Sequence, residues 1–462
     1  MRSGASGSDC LDARDARAEL IAGLCARPGG ARVPGLPRAL VFASLAVPGP
    51  DKAPDGAGVA LACGVEALRS ALAGEAPEEL DRGMDALGPW AALAVAAEPE
   101  PVKRAAAGVE ASLPFGRVLD LDVYDAGGRP VHRAALGLAP RTCLVCGEPA
   151  RECIALRRHA AGEPADRAAA ILEPLGARRC PAAALAAALV RGAQEELDLT
   201  PKPGLVDRLD SGSHPDLTYD AMVRSVRLLA LYFDELVALR GCVGAERNGN
   251  GALAACVAAG RRAEARMHHA AGSNAHRGLI FLGGLLVLAA CDACREGERE
   301  GAGALRPRVA RLAREFCGRP AAGAEATPGA RARMAHGVQG ILGEALAGLP
   351  AVFDAGLPAF RATLARRGDR RRAALRAMAE LMRTVEDTTA LHRTGPAGLA
   401  RLRADGRGLA ALLDADGEPD AQLARWNDDY RRAGLTMGGV ADCLALTLAL
   451  AGSAGSPPPP SV

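Results

Sequence analysis

Residues 200–220 read TPKPGLVDRLDSGSHPDLTYD. Two prolines bracket Lys202 and Gly204 follows, so the stretch cannot open as helix interior. Asp207, Arg208, Asp210, His214, Asp216 and Asp220 then crowd into a short loop. Such a loop is either a solvated connector or the wall of a site for a charged ligand, because burying its charges unpaired is costly. On both sides of it the sequence is Ala/Leu-rich and punctuated by Gly and Pro. Helices are expected over 182–197, 216–239, 250–271, 276–294, 304–316, 330–347, 356–365, 369–391, 396–402, 419–432 and 437–452. The loop therefore interrupts an all-α domain, and clustered polar groups on facing helices of a bundle are where a site would be built.

Ahead of residue 170 the pattern is different. ALVFASLAV (39–47) runs into PGPDK, and GRVLDLDVYD (116–125) alternates apolar and polar before a Gly-Gly turn; both are strand signals. Helices are expected over 11–26, with Leu11, Leu20, Ile21 and Leu24 on its apolar face, and over 58–73. The chain of 462 residues thus reads as multidomain: an α+β domain over 1–170, an all-α helical bundle over 178–452, and a Pro/Ser-rich disordered tail over 453–462.

A net charge of +2 gives no electrostatic case for nucleic acid or membrane surfaces. The N-terminus lacks an apolar signal segment, and the longest apolar run, Gly278 to Ala290, suits a buried helix better than a membrane span. Thirteen cysteines without small-scaffold spacing fit a reduced, cytoplasmic chain. Arginine replaces lysine almost everywhere, so the three lysines, Lys52, Lys103 and Lys202, draw notice as places where a compact ammonium serves and a planar fork does not.

Asp120 and Asp122 lie at i and i+2 of a strand and so share one face. Side by side they repel unless a divalent cation sits between them; the alternative is a solvent-facing edge. Cys143, Cys146, Cys153 and His159 could complete a tetrahedral zinc site, or be a set of reduced thiols. In the helical half, Asn274, His276 and Arg277 precede the apolar helix, where backbone N–H groups suit phosphate. Glu344, the Glu386/Asp387/His392/Arg393 cluster, and Gly438, Gly439 and Asp442 are further candidates, each weak alone.

TPKPGLVDRLDSGSHPDL, AGSNAHRGLIFLGGLLVLAA, EDTTALHRTG and GGVADCLALTLAL together resemble the triphosphoribosyl-dephospho-CoA synthase family, over roughly residues 180–452. ARDARAEL, SLAVPGPDK, GRVLDLDVYD and RTCLVCGEPARECIALRRH resemble the apo-citrate lyase phosphoribosyl-dephospho-CoA transferases (holo-citrate lyase synthases), over about residues 10–160. The order is similar to a fused bifunctional protein of citrate lyase maturation. The resemblance implies ATP and 3′-dephospho-CoA as substrates, Mg²⁺, release of adenine, then transfer to a serine of the citrate lyase acyl carrier subunit with release of pyrophosphate. It implies Asp207, Asp216, Glu344 and Asp387 as metal or charge-stabilising groups. Lys202, Arg208, Arg277 and Arg393 are implied for phosphate, and His214 or His276 as base. In the transferase half, Asp120 and Asp122 would hold Mg²⁺, with Lys52 or Arg117 at the leaving pyrophosphate. Departures fall at Ala275, Leu342 and Met437, where the synthase motifs carry other residues. Rival readings are the same chemistry serving malonate decarboxylase, a metal-dependent phosphohydrolase, and a synthase half kept as a binding module.

Overall fold

The computed structural model describes residues 7–26, 39–75, 77–177, 179–240, 250–272, 276–297, 302–317, 335 and 337–453. The expectations for Asn274, for most of the stretch ahead of residue 340 in the 330–347 helix, and for the tail beyond Ser453 lie outside the described residues. The chain divides into two compact units, Met1–Ala183 and Ala184–Val462.

The first unit is built on a four-stranded antiparallel sheet of order β2-β3-β1-β4. Its strands are β1 (Ala39–Leu45), β2 (Glu78–Asp85), β3 (Gly88–Val95) and β4 (Leu119–Tyr124). Helix α1 (Gly7–Ala26) packs Leu20, Ile21 and Leu24 on the face formed by Leu40, Phe42, Ala92 and Trp90. Leu11, expected on that apolar face, is instead exposed. Helices α2 (Ala57–Ala71) and α3 (Pro99–Ser112) cover the opposite face, where Gly64 comes so close to Leu119 that a Cβ would lie 2.8 Å from its methyls. Leu119, Leu121 and Val123 of β4 are buried on this side. Asp120 and Asp122 therefore point to the other, opposite Ser44 and Phe42 in the register.

Strands β2 and β3 and helix α3 had no clear sequence signal. β2 (EELDRGMD) is a charge-rich edge strand in which Arg82 and Glu79 pair with almost wholly buried side chains and Arg69 also reaches Glu79. β3 (GPWAALAV) is Ala-rich and buried on both faces, so no alternation marks it. Beyond β4 come two short helices, α4 (Ala150–Ala155) and α5 (Glu163–Leu172).

The second unit is built of helices and loops, with no strand among its described residues. Its helices are α6 (Pro181–Asp198), which begins at the end of the first unit, α7 (Tyr219–Arg240), α8 (Asn250–Ala271), α9 (Arg277–Arg295) and α10 (Leu305–Cys317). They continue with α11 (Gly340–Leu346), α12 (Leu357–Arg367), α13 (Arg370–Thr384), α14 (Thr388–Asp414), α15 (Asp420–Ala433) and α16 (Gly438–Ser453). α9, apolar on every side from Gly278 to Cys291, is buried among its neighbours, as an all-round apolar helix must be. The helix expected over 369–391 is broken: Val385 and Asp387 are extended, and the Asp387 carboxylate caps the start of α14. The short helix expected over 396–402 belongs to the longer α14, which breaks at Gly395 (φ 68°) before Pro396.

Candidate functional site

In the first unit the site grows from the free edge of β4. An edge strand exposes unpaired backbone groups, and α3 satisfies them. Lys103 Nζ donates to the Leu121 carbonyl at 2.8 Å, and the Leu121 N–H donates to Glu110 Oε1 at 2.8 Å. Glu110 also receives Arg133, and Arg141 Nη2 bridges Glu110 Oε1 (2.7 Å) and Asp120 Oδ1 (2.8 Å). Lys103 Nζ lies 3.7 Å from Asp122 Oδ1. Burial, and next the charge of Asp122, push the Asp120 carboxyl above its ordinary range despite Arg141. Asp120 and Asp122 thus share one strand face, as residues that could hold a divalent cation would, with Arg141 and Lys103 as their cationic neighbours.

Lys52 is at the sheet end where β1 finishes; its ammonium donates to the Val47 carbonyl at 2.9 Å, not to either aspartate. Arg117 is exposed on the turn before β4.

Beside this edge, Cys143, Cys146, Cys153 and His159 converge, with one potential ligand atom from each lying within 4.8 Å of the others.

In the second unit the polar loop closes largely on itself. Asp207 is buried, accepting from the Lys202 backbone N–H at 2.8 Å and the Leu209 N–H at 2.7 Å. Lys202, expected at phosphate, is 1% exposed. Its ammonium donates to Glu196 Oε1 at 2.6 Å and to the Glu196 carbonyl at 2.5 Å, so it is an internal ion pair and not a surface cation. Arg208 is drawn to Asp198 (3.0 Å) and over the Tyr219 ring, away from any carboxylate cluster. Asp216 is exposed. His214 Nε2 lies 2.9 Å from Thr436 Oγ1; burial, then the Arg393 charge, lower its pKa. Exposed Arg393 donates to the Ser213 carbonyl at 2.8 Å.

Deeper in, three helix N-termini meet. Asp387 Oδ1 accepts from Thr389 and Ala390 N–H, each at 2.9 Å, at the start of α14; Oδ2 accepts from the Val440 N–H at 3.0 Å, at the start of α16. Asp442, one turn into α16, accepts from the Leu279 N–H in the first turn of α9. Gly278 permits this approach: a Cβ there would sit 1.8 Å from Asp442 Oδ2. Burial, then the charges of Asp387 and Glu196, push the Asp442 carboxyl well above its usual range. Burial likewise raises Asp387, against the pull of its backbone donors.

His276 occupies the N-cap position of α9, without a side-chain capping hydrogen bond. Its Nδ1 is 2.8 Å from Ser225 Oγ, while Nε2 is buried with no hydrogen-bond partner among the described residues. Burial, then the Lys202 charge, lower its pKa to about 4, so the ring is neutral near pH 7. Gly438 and Gly439 lie against Thr389 and Asp387. Glu344 accepts from the Ala351 N–H at 3.0 Å, and burial raises its pKa. Arg277 stands at the exposed rim, 3.5 Å from Glu264.

Sequence reasoning noted Lys103 only as a scarce lysine without placing it at the site, and missed Glu110 and Arg141 in the first unit and Glu196, Ser225 and Thr436 in the second. The scarcity of lysine was a signal for Lys103. The others sit in ordinary helical or loop contexts and acquire roles only through tertiary contact.

The model of the family described as ATP:dephospho-CoA triphosphoribosyl transferase matches residues 182–456. That described as apo-citrate lyase phosphoribosyl-dephospho-CoA transferase matches residues 6–174. Protein CitXG of Haemophilus influenzae is 29% identical over 353 residues, 74% of this chain and 74% of the relative. A probable 2-(5''-triphosphoribosyl)-3'-dephosphocoenzyme-A synthase of Azotobacter vinelandii is 37% identical over 262 residues, 55% of this chain and 86% of the relative. The 2-(5''-triphosphoribosyl)-3'-dephosphocoenzyme-A synthase of Klebsiella pneumoniae is 34% identical over 271 residues, 55% of this chain and 89% of the relative. The chain belongs to the ATP:dephospho-CoA triphosphoribosyl transferase family and carries ahead of that domain an apo-citrate lyase phosphoribosyl-dephospho-CoA transferase domain, which makes it a bifunctional transferase of citrate lyase prosthetic-group maturation.

Proposed function

We propose that the helical unit releases adenine from ATP at the Asp442–His276 cluster, and that the sheet unit modifies a serine of the citrate lyase acyl carrier subunit at the Asp120–Asp122 edge. The observations that carry the first assignment are the meeting of the N-termini of α9, α14 and α16 around buried carboxylates, and His276 Nε2 at the start of α9, buried without a partner among the described residues. Helix N-termini favour phosphate oxygens, while at the start of α16 the Gly439 and Val440 N–H groups already donate to Asp387. In this step the 2′-oxygen of 3′-dephospho-CoA bonds to ribose C1′ of ATP, the bond from C1′ to adenine breaks, and the triphosphate stays on the ribose. Neutral His276 Nε2 faces the incoming hydroxyl and takes its hydrogen bond or its proton. Asp442 stabilises the positive charge that builds on the ribose as adenine leaves, as carboxylates do in glycoside chemistry. Asp387, its oxygens filled by backbone donors, is a positioning residue that ties α14 to α16. His214, Glu344, Arg277 and Arg393 belong to the rim; Asp207 and Lys202 hold the loop.

In the sheet unit, the serine oxygen bonds to the phosphorus nearest the transferred ribose, and the bond to pyrophosphate breaks. Asp120 and Asp122 fit Mg²⁺ by their shared face and mutual repulsion. In the helical unit the buried carboxyl of Asp442, repelled by Asp387 and Glu196, shows the same shortage of positive charge. Mg²⁺, when bound, neutralises phosphate oxygens and favours the departure of pyrophosphate. Arg141 and Lys103 then orient the two carboxylates.

Incubation of the full chain with ATP, Mg²⁺ and 3′-dephospho-CoA should release adenine only when all three are present. Adding the apo carrier subunit should then raise its mass by the phosphoribosyl-dephospho-CoA group. Inorganic phosphate in place of adenine would favour a phosphohydrolase, and binding without adenine release a scaffold; either refutes the assignment. Modification of a malonate decarboxylase carrier, with none of the citrate lyase carrier, refutes the choice of partner.

A further inference from the structure

The first unit contains a cluster that the transfer chemistry does not use. Cys143 Sγ is 3.3 Å from His159 Nε2, and Cys146 Sγ is 3.5 Å from Cys153 Sγ. All four donor atoms lie within 4.8 Å of one another. A disulfide needs sulfurs about 2.05 Å apart, so the Cys146–Cys153 pair is not bonded. Four ligands at about 2.0–2.3 Å around a tetrahedral zinc stand roughly 3.5–3.8 Å from each other, and the two separations approach that edge. The local backbone fits as well. Cys143 Sγ accepts the Val145 N–H at 3.4 Å, and the Cys143 N–H donates to the Glu148 carbonyl at 2.6 Å. Gly147 turns the chain at φ 82° directly after the second cysteine of Cys-x2-Cys. Cys153 comes from α4. Arg157, a non-glycine residue at φ 46°, then bends the chain so that His159 returns to Cys143. With Nε2 facing the sulfurs, His159 Nδ1 lies 3.8 Å from Glu163 Oε2, the kind of outer carboxylate that orients a metal-bound imidazole.

We propose that Cys143, Cys146, Cys153 and His159 bind one Zn²⁺, and that this ion holds the segment carrying Arg141 against Asp120. The three thiols give up their protons on binding and His159 ligates as neutral imidazole. Thr142 and Pro149 bridge the two arms of the Cys143–Cys146 turn, and the Ala150 N–H donates to the Arg141 carbonyl at 2.9 Å. Fixing the turn therefore fixes the Arg141 backbone, two residues before the first ligand. From there Arg141 reaches Asp120 and Glu110. The zinc is structural: its four positions are filled by side chains, which leaves none open for substrate.

The test is metal analysis of the full chain, purified under reductant without chelators or metal-affinity resin. About one zinc per chain is expected, as for closed structural sites. Cys146→Ser, at an exposed position, should lose the metal. His159→Cys should keep it, and Cys294→Ser in the other unit should leave the content unchanged. Co²⁺ added to the metal-free protein should give the thiolate charge-transfer band of a tetrahedral site. The link to Asp120 rests on the function proposed above, whereas metal content and the cobalt spectrum do not, so the two can fail separately. Metal loss should lower carrier modification at least about tenfold, the scale of losing a group that orients catalytic residues, with adenine release unchanged. Iron in place of zinc, full zinc in Cys146→Ser, a Cys146–Cys153 disulfide, or neither zinc nor a cobalt band would overturn the site. Unchanged carrier modification by the metal-free protein would overturn its role at Asp120.

Discussion

Replacing Lys202 by methionine separates an internal ion pair from a phosphate ligand. The ammonium lies 2.6 Å from Glu196 Oε1, with both side chains almost wholly buried. At an effective dielectric of about 20 the attraction is about 6 kcal/mol, offset by the cost of desolvating both charges. Removing the cation alone leaves the carboxylate buried and uncompensated, which costs about 3–5 kcal/mol. Burial already raises the Glu196 carboxyl, and Lys202 opposes that shift. Without Lys202 it rises further. The folded variant then holds a proton the unfolded chain has released, so its deficit grows as pH rises above the ordinary carboxylate range. The assay is urea unfolding followed by tryptophan fluorescence. The chain has two tryptophans, Trp90 in the first unit and buried Trp426 in the second. A Trp90→Phe background therefore reports the helical unit alone and avoids treating two units as one transition. Lys202→Met should lower that transition by about 3–5 kcal/mol, and adding Glu196→Leu should restore most of the loss. A loss under about 1 kcal/mol, the range of a solvated pair, together with a raised KM for ATP would refute the internal pairing and return Lys202 to the triphosphate.

Asp120→Asn should cut carrier modification by about 10²-fold or more while adenine release continues; mass spectrometry and chromatography read the two, and loss of both would undo the two-site division. Asp442→Asn should abolish adenine release yet make the helical unit more stable at pH 8. The native carboxyl has a raised pKa, so its stability falls as pH rises toward that value, and the amide escapes this; an unfolding transition lowered at pH 8 would contradict it. The lowered pKa of His276 has the opposite sign. The unfolded chain binds a proton near 6.5 that the folded chain refuses until about 4, so stability is lost as pH falls through that window, by up to about 3 kcal/mol. His276→Gln should flatten this acid limb, and an unchanged limb would show that His276 is not the group responsible.

The helices of the second unit were legible because an Ala/Leu-rich chain punctuated by Gly and Pro carries its own periodicity and stops. Most starts and ends fall within a few residues of expectation. The break at 385–387 was not legible: Asp387 reads locally as one more helical acid, and it stops the helix because its carboxylate reaches both Thr389 and Val440. β4 was visible in the alternation of LDLDVY, and with it the shared face of Asp120 and Asp122. β2 and β3 were not, since one is a charged edge and the other an alanine-rich strand without alternation.

The sequence by itself determined the order of the two domains, the strand bearing the paired aspartates, the four potential ligands and the polar loop, since each is a matter of spacing along the chain. Only tertiary structure decided which charges are spent internally. Lys202, Asp207 and Arg208 look free in a loop rich in Pro and Gly, and become structural once Glu196, the loop backbone and Asp198 are folded beside them. Glu110 and Arg141 look incidental and Lys103 is marked only by the scarcity of lysine, and all three gain a role at the edge of β4. The physical reason is that burial and pairing fix a charged group's chemistry, and both depend on residues far away in sequence.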